Sequence, residues 1–113
     1  MLARINRVVR ADDYRRVVRR GRKVAATHTV GYVIDRADGM PTRFGFIVAK
    51  NVGNAVIRNR VRRRLKAASF ALLDDVRPGV DIVVRALPVS AEASWVTLRG
   101  EVFGIAARAE VKR

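Results

Sequence analysis

The chain has 113 residues, of which 50% are hydrophobic and 30% are charged, enough for one domain around one core and too few for a second. It has no cysteine, which excludes disulfide scaffolds, thiolate zinc sites and thiol nucleophiles. Its apolar runs are shorter than the roughly 18 to 20 residues of a membrane span. The N-terminal stretch lacks the apolar segment of a secretory signal, so we expect a cytoplasmic protein.

The net charge of +14 is concentrated in one part of the chain. Residues 1–66 contain 18 Lys and Arg against 4 Asp and Glu, whereas residues 67–113 contain 6 of each sign. Such a field repels itself unless a polyanion neutralises it. Nucleic acid is the commonest polyanionic partner, and an anionic membrane surface is the alternative.

The first predicted element is a short helix over residues 12–20. Asp12 and Asp13 predict its N-cap and a favourable charge in its first turn, apolar residues follow at helical spacing, and Gly21 predicts its end. The outer face of this helix carries four arginines: Arg15, Arg16, Arg19 and Arg20.

Two strands are predicted next, over 24–35 and 43–50, from their β-branched and aromatic residues. The turn residues between them, 37–41, predict that the two strands form an antiparallel hairpin. The only histidine, His28, falls in the first of these strands and is predicted to be a structural or surface residue rather than a catalytic one.

A helix, a strand and a last helix complete the chain. The helix covers 54–73, the strand covers 80–86 with Asp81 as its only charged interruption before Arg85, and Ser90 predicts the N-cap of the last helix. The order of elements implies an α+β fold in which helices cover a small sheet. The apolar positions of the last helix recur at helical spacing: Leu98, Val102, Ile105 and Ala109.

The long helix carries the most informative pattern of the chain. Its apolar residues fall on one stripe: Ile57, Val61, Leu65, Ala68 and Leu72. Five arginines and one lysine occupy the remaining arc, and no carboxylate occurs between Asn51 and Ser69. A solvated surface helix normally mixes both signs of charge. Because the planar guanidinium binds phosphate oxygens with two hydrogen bonds, this face favours structured nucleic acid.

Reactive groups are not recognisable in the sequence, so we predict no catalytic residue and no metal ligand. The carboxylate pairs 12–13 and 74–75 are better explained as helix-end residues than as a general acid and base. Among the aromatic residues, Phe44 and Phe46 share one face of a strand and are predicted core. Tyr14 and Tyr32 are candidates for stacking on unpaired bases.

The run from Gly53 to Arg63, preceded by Val48-Ala49-Lys50 and by Asp13-Tyr14, resembles the signature arginine-asparagine-arginine helix of the bacterial ribonuclease P protein family. The match covers roughly residues 4–90. The resemblance implies a compact α/β sandwich, in which three helices pack on a four-stranded mixed sheet with a left-handed strand-helix-strand crossover, similar to a domain of a ribosomal protein. It makes residues 1–113 a single RNA-binding domain.

Members of that family bind a large catalytic RNA and help it to remove the 5′ leader from precursor tRNA. The resemblance implies that the cleft beside the first helix receives the leader at Tyr14, Val18 and Tyr32. It also implies that Mg²⁺ is held mainly by the RNA and its substrate, with no membrane and no obligate protein partner. The residues expected to contact the catalytic RNA are Lys50, Asn54, Arg58, Asn59, Arg60, Arg62, Arg63 and Lys66.

The chain departs from the family pattern in three places. Val18 stands where an aromatic residue is usual, Ala49 and Asn51 replace a serine and a lysine, and Lys66-Ala67 replaces an arginine-glutamate. We therefore expect weaker or differently distributed leader contacts. Two other functions fit the charge pattern: a ribosomal or general structured-RNA-binding protein, and a basic nucleoid-type DNA-binding protein.

Overall fold

The computed structural model describes residues 1–113 and contains three helices and one four-stranded sheet. None of the helices is both long enough and apolar enough to cross a membrane. In chain order the elements are α1 (Ala11–Arg20), β1 (Arg22–Ala25), β2 (Thr29–Asp35), β3 (Arg43–Ile47), α2 (Ala55–Leu72), β4 (Val80–Ala86) and α3 (Trp95–Arg108).

Helix α1 confirms the predicted first helix, with one difference at its start. Asp12 and Asp13 lie in the first turn, where their charge complements the helix dipole. The predicted capping role is wrong, because Arg10 holds the N-cap position and no side chain caps the helix. The helix ends at Gly21, whose backbone N–H donates to the carbonyl of Val17.

The strands pair differently from the sequence prediction. The stretch predicted as one strand over 24–35 is two strands, β1 and β2, which form the antiparallel hairpin of the fold. The predicted hairpin between β2 and β3 is wrong, because β4 lies between them in the order β1-β2-β4-β3. His28 lies in the turn between β1 and β2, where its Nδ1 is 2.5 Å from a carboxylate oxygen of Glu101.

The mixed character of the sheet follows from β4, whose bounds match the prediction. This strand is apolar and buried along nearly its whole length, so it takes a central position. It runs antiparallel to β2 and parallel to β3, and α2 forms the crossover between β3 and β4. The outer edge of β3 is partly covered, since the backbone N–H of Val8 donates to the carbonyl of Phe44 over 2.8 Å.

One face of the sheet is covered by α2 and α3, which form the main core. The apolar stripe predicted for α2 is confirmed: four of its side chains are buried, and Ile57 packs partly buried against the same core. Glycine allows α3 to approach the sheet, because a Cβ on Gly31 would lie 2.4 Å from a side-chain carbon of Ile105. The α2 side chains in this core are Val61, Leu65, Ala68 and Leu72.

Helix α3 begins later than its predicted N-cap. Ser90 lies in a short 3-10 helix, Pro88–Glu92, and the N-cap is Ser94, whose hydroxyl accepts the backbone N–H of Thr97 over 3.1 Å. Ser94 therefore satisfies a donor that would otherwise lack a partner within the helix. The predicted apolar positions hold, with three side chains buried and Ala109 packed at the margin of the core.

The other face of the sheet is covered by α1 and carries a second, smaller core. Its buried members are Val8, Val17, Val30, Tyr32 and Val83. Because α1 is short, it covers only part of this face. The open side of α1 faces the N-terminal segment and α2, and this arrangement creates the groove described below.

Candidate nucleic-acid interface

The positively charged side chains of α2 form a surface that no carboxylate of the protein neutralises. None of the six is in an ion pair, although the molecule contains nine other ion pairs. The buried stripe fixes the helix on the core and leaves these side chains partly or fully exposed on a rigid element. The six cations are Arg58, Arg60, Arg62, Arg63, Arg64 and Lys66.

One flank of α2 is a shallow basic depression of about 510 Å³. Arg62 donates from Nη1 to the side-chain oxygen of Asn59 over 2.8 Å, and this bond orients both groups. The amide nitrogen of Asn59 stays free to donate. The depression can therefore offer guanidinium forks and an amide to a phosphate or a 2′-hydroxyl. Its lining residues are Val56, Asn59, Arg62, Arg63 and Lys66.

The opposite flank of α2 combines contacts within the protein with an exposed aromatic ring. Arg60 and Arg64 donate to the carbonyls of Ala91 and Ala93 over 3.1 and 2.7 Å, and so hold the segment that leads into α3. Trp95, at the start of α3, is 37% exposed and lines a cavity with Arg60, Arg64, Arg63 and Ala67. Arg60 thus has a structural role that its sequence pattern did not indicate.

Three further predicted RNA contacts lie at the start and on the side of α2. Asn54 is the N-cap, and its side-chain oxygen accepts the backbone N–H of Ile57 over 3.0 Å. Lys50 is exposed in the 3-10 helix Lys50–Val52 just before it. Arg58 is half-buried, and its Nε has no hydrogen-bond partner in the protein. All three residues adjoin the basic face, and their contact with RNA stays a prediction.

A groove of about 310 Å³ separates α2 from α1, and Tyr14 lies along it. The ring of Tyr14 lies over Gly45, where an added Cβ would be 2.7 Å from a ring carbon. The hydroxyl of Tyr14 accepts the backbone N–H of Phe46 over 3.1 Å, which fixes the ring. Arg7 lines the groove on one side, and Arg62 and Lys66 line it on the other. The groove therefore offers a stacking surface between cations.

The other two predicted leader-binding residues lie near Tyr14 but do not line this groove. Tyr32 is only 6% exposed and belongs to the second core, with the guanidinium carbon of Arg85 at 5.8 Å from its ring centroid. Val18 is half-buried and packs against the same core. The three residues thus lie close together around α1, and Tyr14 alone among them lines the groove. RNA contact at Val18 and Tyr32 stays a prediction.

A buried ionic cluster at the end of the sheet was missed by the sequence analysis. Asp81 is fully buried, and Arg43 donates to its two oxygens from Nε and Nη2 over 2.9 and 2.7 Å. Arg36 donates to the same carboxylate, and Arg16 lies 3.6 Å from it. A lone carboxylate in an otherwise apolar strand was the available signal, because a buried charge requires charged or hydrogen-bonding partners.

The pKa values of two groups in this region are shifted by these contacts. The hydrogen bond from Arg43 to Asp81 raises the pKa of the Arg43 guanidinium above its ordinary value. Arg36 donates to the exposed carboxylate of Asp38 and, with the backbone N–H of Met40, lowers the pKa of Asp38. Both shifts favour the charged forms of these two groups.

Comparison with known proteins decides the family. The family model for ribonuclease P matches residues 2–110. The chain is 51% identical over 109 residues to the ribonuclease P protein component of Clavibacter michiganensis, with 96% of each chain covered. It is 50% identical over 99 residues to that of Pseudarthrobacter chlorophenolicus, with 88% of this chain and 73% of the relative covered. The chain belongs to the ribonuclease P protein family.

Solved structures of ribonuclease P proteins share the fold. The protein from Staphylococcus aureus has a TM-score of 0.85 at 23% identity, with 96% of this chain and 98% of that chain covered. The protein from Thermotoga maritima has a TM-score of 0.79 at 20% identity, with 90% and 96% covered. At these identities the likeness establishes the fold alone, and it confirms the three helices and the mixed four-stranded sheet expected from the sequence.

Membership in the ribonuclease P protein family also decides between the functions that the charge pattern left open. The chain is a protein subunit of ribonuclease P, and the ribosomal and nucleoid alternatives are not favoured. The match includes the whole of α2 and both of its basic flanks, as well as Tyr14 and its groove.

Proposed function

We propose that this chain binds the catalytic RNA of ribonuclease P through the exposed face of α2 and assists that RNA in removing the 5′ leader of precursor tRNA. One observation carries the proposal: six cations stand on one rigid helix, and no carboxylate of the molecule pairs with any of them. Like charges at helical spacing repel one another. An external polyanion removes this repulsion and releases counterions when it binds.

The two flanks of α2 support a structured RNA as the ligand. Arginines and Asn59 on one flank suit phosphate and 2′-hydroxyl groups, and Trp95 on the other suits an unstacked base. A folded RNA presents both kinds of group within a short distance, whereas a regular DNA duplex keeps its bases stacked. This combination favours RNA over duplex DNA.

The leader of the precursor is assigned to the groove along Tyr14. A single strand without fixed sequence is bound by backbone charge and by stacking on aromatic rings, which every base can provide. Tyr14 supplies the ring, and Arg7, Arg62 and Lys66 supply the charge. Since Val18 offers no ring, stacking in this chain depends on Tyr14 more than the family pattern implies. A protein with these RNA partners works in the cytoplasm.

The chemistry of cleavage is assigned to the RNA. Four of the ten carboxylates of this chain have other roles: Asp12 and Asp13 lie in the first turn of α1, Asp81 is neutralised by arginines, and Glu101 binds the turn at His28. We propose that Mg²⁺ is held mainly by the catalytic RNA and its substrate.

Reconstitution tests this function. The purified chain is added to the catalytic RNA at a Mg²⁺ concentration too low for the RNA alone, and cleavage of precursor tRNA is followed. We expect 5′ cleavage to be restored, because the chain neutralises RNA charge and binds the leader. The control is a polyarginine peptide of equal charge at equal concentration. Cleavage that is no faster than with this peptide would refute the proposed function.

A further inference from the structure

A second basic cavity lies at the end of the sheet, away from α2. It has a volume of about 740 Å³ and is bounded by the N-terminal segment, α1, the connection from β2 to β3 and the start of β3. Six arginines line it: Arg4, Arg7, Arg10, Arg16, Arg36 and Arg43. We call this cavity the arginine pocket.

The arginines of the pocket are of two kinds. Arg36 and Arg43 are held by the buried carboxylate of Asp81, and Arg36 is also held by Asp38. These two form a rigid cationic wall. In contrast, Arg4, Arg7 and Arg10 are exposed, and their side chains make no hydrogen bond or ion pair within the molecule.

The charge balance of the arginine pocket is positive. Its six guanidinium groups face three carboxylates, from Asp13, Asp38 and the buried Asp81, so three positive charges remain uncompensated. Arg16 adds only long contacts, at 3.5 Å to Asp13 and 3.6 Å to Asp81. A cavity with this excess attracts anions, and the planar guanidinium matches the geometry of phosphate oxygens.

The arginine pocket adjoins the groove along Tyr14. Arg7 and Val9 line both cavities, so a strand that lies along the groove reaches the pocket without crossing another surface. Apart from the arginines, Asp13 and Asp38, the pocket is lined by apolar residues, and none of them is aromatic or a side-chain amide: Ile5, Val9, Met40 and Pro41. The pocket therefore offers mainly positive charge, which suits the phosphate groups of a strand.

We propose that the arginine pocket binds the phosphodiester groups of an RNA strand that continues beyond the Tyr14 groove. The proposal rests on the proposed function and extends it by a second contact region, carried by the N-terminal segment and the end of the sheet. The contact is sensitive to salt, since the charge of the RNA backbone dominates it. The strand belongs either to the precursor leader or to the catalytic RNA, and the chemistry of the pocket suits both.

The test uses the double variant Arg4→Ala/Arg10→Ala, in which two exposed and unpaired side chains are shortened. The control is Arg99→Ala/Arg108→Ala, which removes the same charge from the exposed side of α3 and also removes the hydrogen bond from Arg108 to the carbonyl of Ala25. Each protein is assembled with the catalytic RNA, and the Kd is measured for precursor tRNAs whose unstructured leaders increase in length. The Kd of each protein for the catalytic RNA alone is measured in parallel.

If the strand is the leader, a longer leader lowers the Kd of the wild type for the precursor. The Arg4/Arg10 variant then binds the long-leader precursor about tenfold more weakly than the wild type. It binds the precursor with the shortest leader, and the catalytic RNA, as the wild type does. If the strand is catalytic RNA, the variant binds that RNA about tenfold more weakly at every leader length. In both cases the salt slope falls by about 0.7 for each lost single-strand contact, and the α3 control behaves like the wild type.

If the Arg4/Arg10 variant and the wild type have equal Kd values in both measurements, the proposal that the arginine pocket binds RNA is wrong. This outcome is distinct from failure of the proposed function, in which the wild type itself does not stimulate cleavage. In that event the same variants are compared on an unstructured RNA oligonucleotide bound to the free chain, which still tests the pocket. The variant Arg4→Lys/Arg10→Lys separates the contribution of positive charge from that of guanidinium geometry, because it keeps the charge and removes the planar guanidinium group.

Discussion

Gly45 shows how a single residue prepares the RNA-binding groove. The ring of Tyr14 occupies the space that any side chain at position 45 would need. With the ring in this place, the Tyr14 hydroxyl reaches the backbone of Phe46. Tyr14 could be predicted as a groove residue from the sequence, whereas the role of Gly45 could not, because close approach of two distant segments leaves no local signal.

Replacement Gly45→Ala is expected to destabilise the protein by roughly 1 to 3 kcal/mol, since the new methyl group forces the Tyr14 ring out of its position. Denaturant unfolding measures the loss. Gly100→Ala is the matched control: no atom lies within 4 Å of a Cβ at this position of α3, so alanine is expected to stabilise the helix by about 1 kcal/mol. Changes of the same sign in both variants would contradict this account.

At the scale of elements, local patterns were predicted well and pairings were not. The stripe of α2 and the bounds of β4 follow from periodicity and burial within one segment. The hairpin between β2 and β3 was predicted wrongly because turn residues indicate that the chain reverses direction. They do not indicate which strand pairs with the strand that follows the turn. The correct partner of β3 is β4, which follows it only after the whole of α2.

The candidate site shows the same division between local patterns, which were predictable from the sequence, and contacts between distant segments, which were not. The cations of α2 were identified because they lie within one short stretch of sequence, whereas the arginine pocket joins residues from position 4 to position 43, which only the fold brings together. The capping role of Asn54 and the backbone contacts of Arg60 also depend on geometry that composition does not encode.

The contact between α2 and α3 gives a prediction of its own. Trp95 is the only tryptophan of the chain, so its fluorescence reports on this flank alone. We expect catalytic RNA to change its emission, and Trp95→Ala to weaken RNA binding by about 1 to 3 kcal/mol through loss of stacking, with Trp95→Phe close to the wild type. Phe70→Ala, which removes an exposed ring from α2, is the control. Unchanged emission and affinity would mean that RNA does not reach this flank.

At the scale of the whole molecule, the two charge clusters differ in how they are balanced. Arginines at the end of the sheet surround the buried Asp81, so part of that cluster stabilises the fold. The arginines of α2 have no such partner, and the net charge of +14 leaves them under the repulsion of the rest of the chain. The free protein therefore carries an electrostatic cost that binding to RNA removes.

The dependence of catalytic-RNA binding on salt tests the role of α2 most directly. The affinity of Arg62→Ala/Arg63→Ala is compared with that of the wild type and of Arg99→Ala/Arg108→Ala over a range of salt concentrations. If α2 contacts the RNA backbone, the α2 variant binds more weakly and its log–log salt slope is shallower by about 2, about 1 for each lost phosphate contact, while the α3 variant keeps the wild-type slope. A wild-type slope in the α2 variant, or an equal decrease in both variants, would contradict the account.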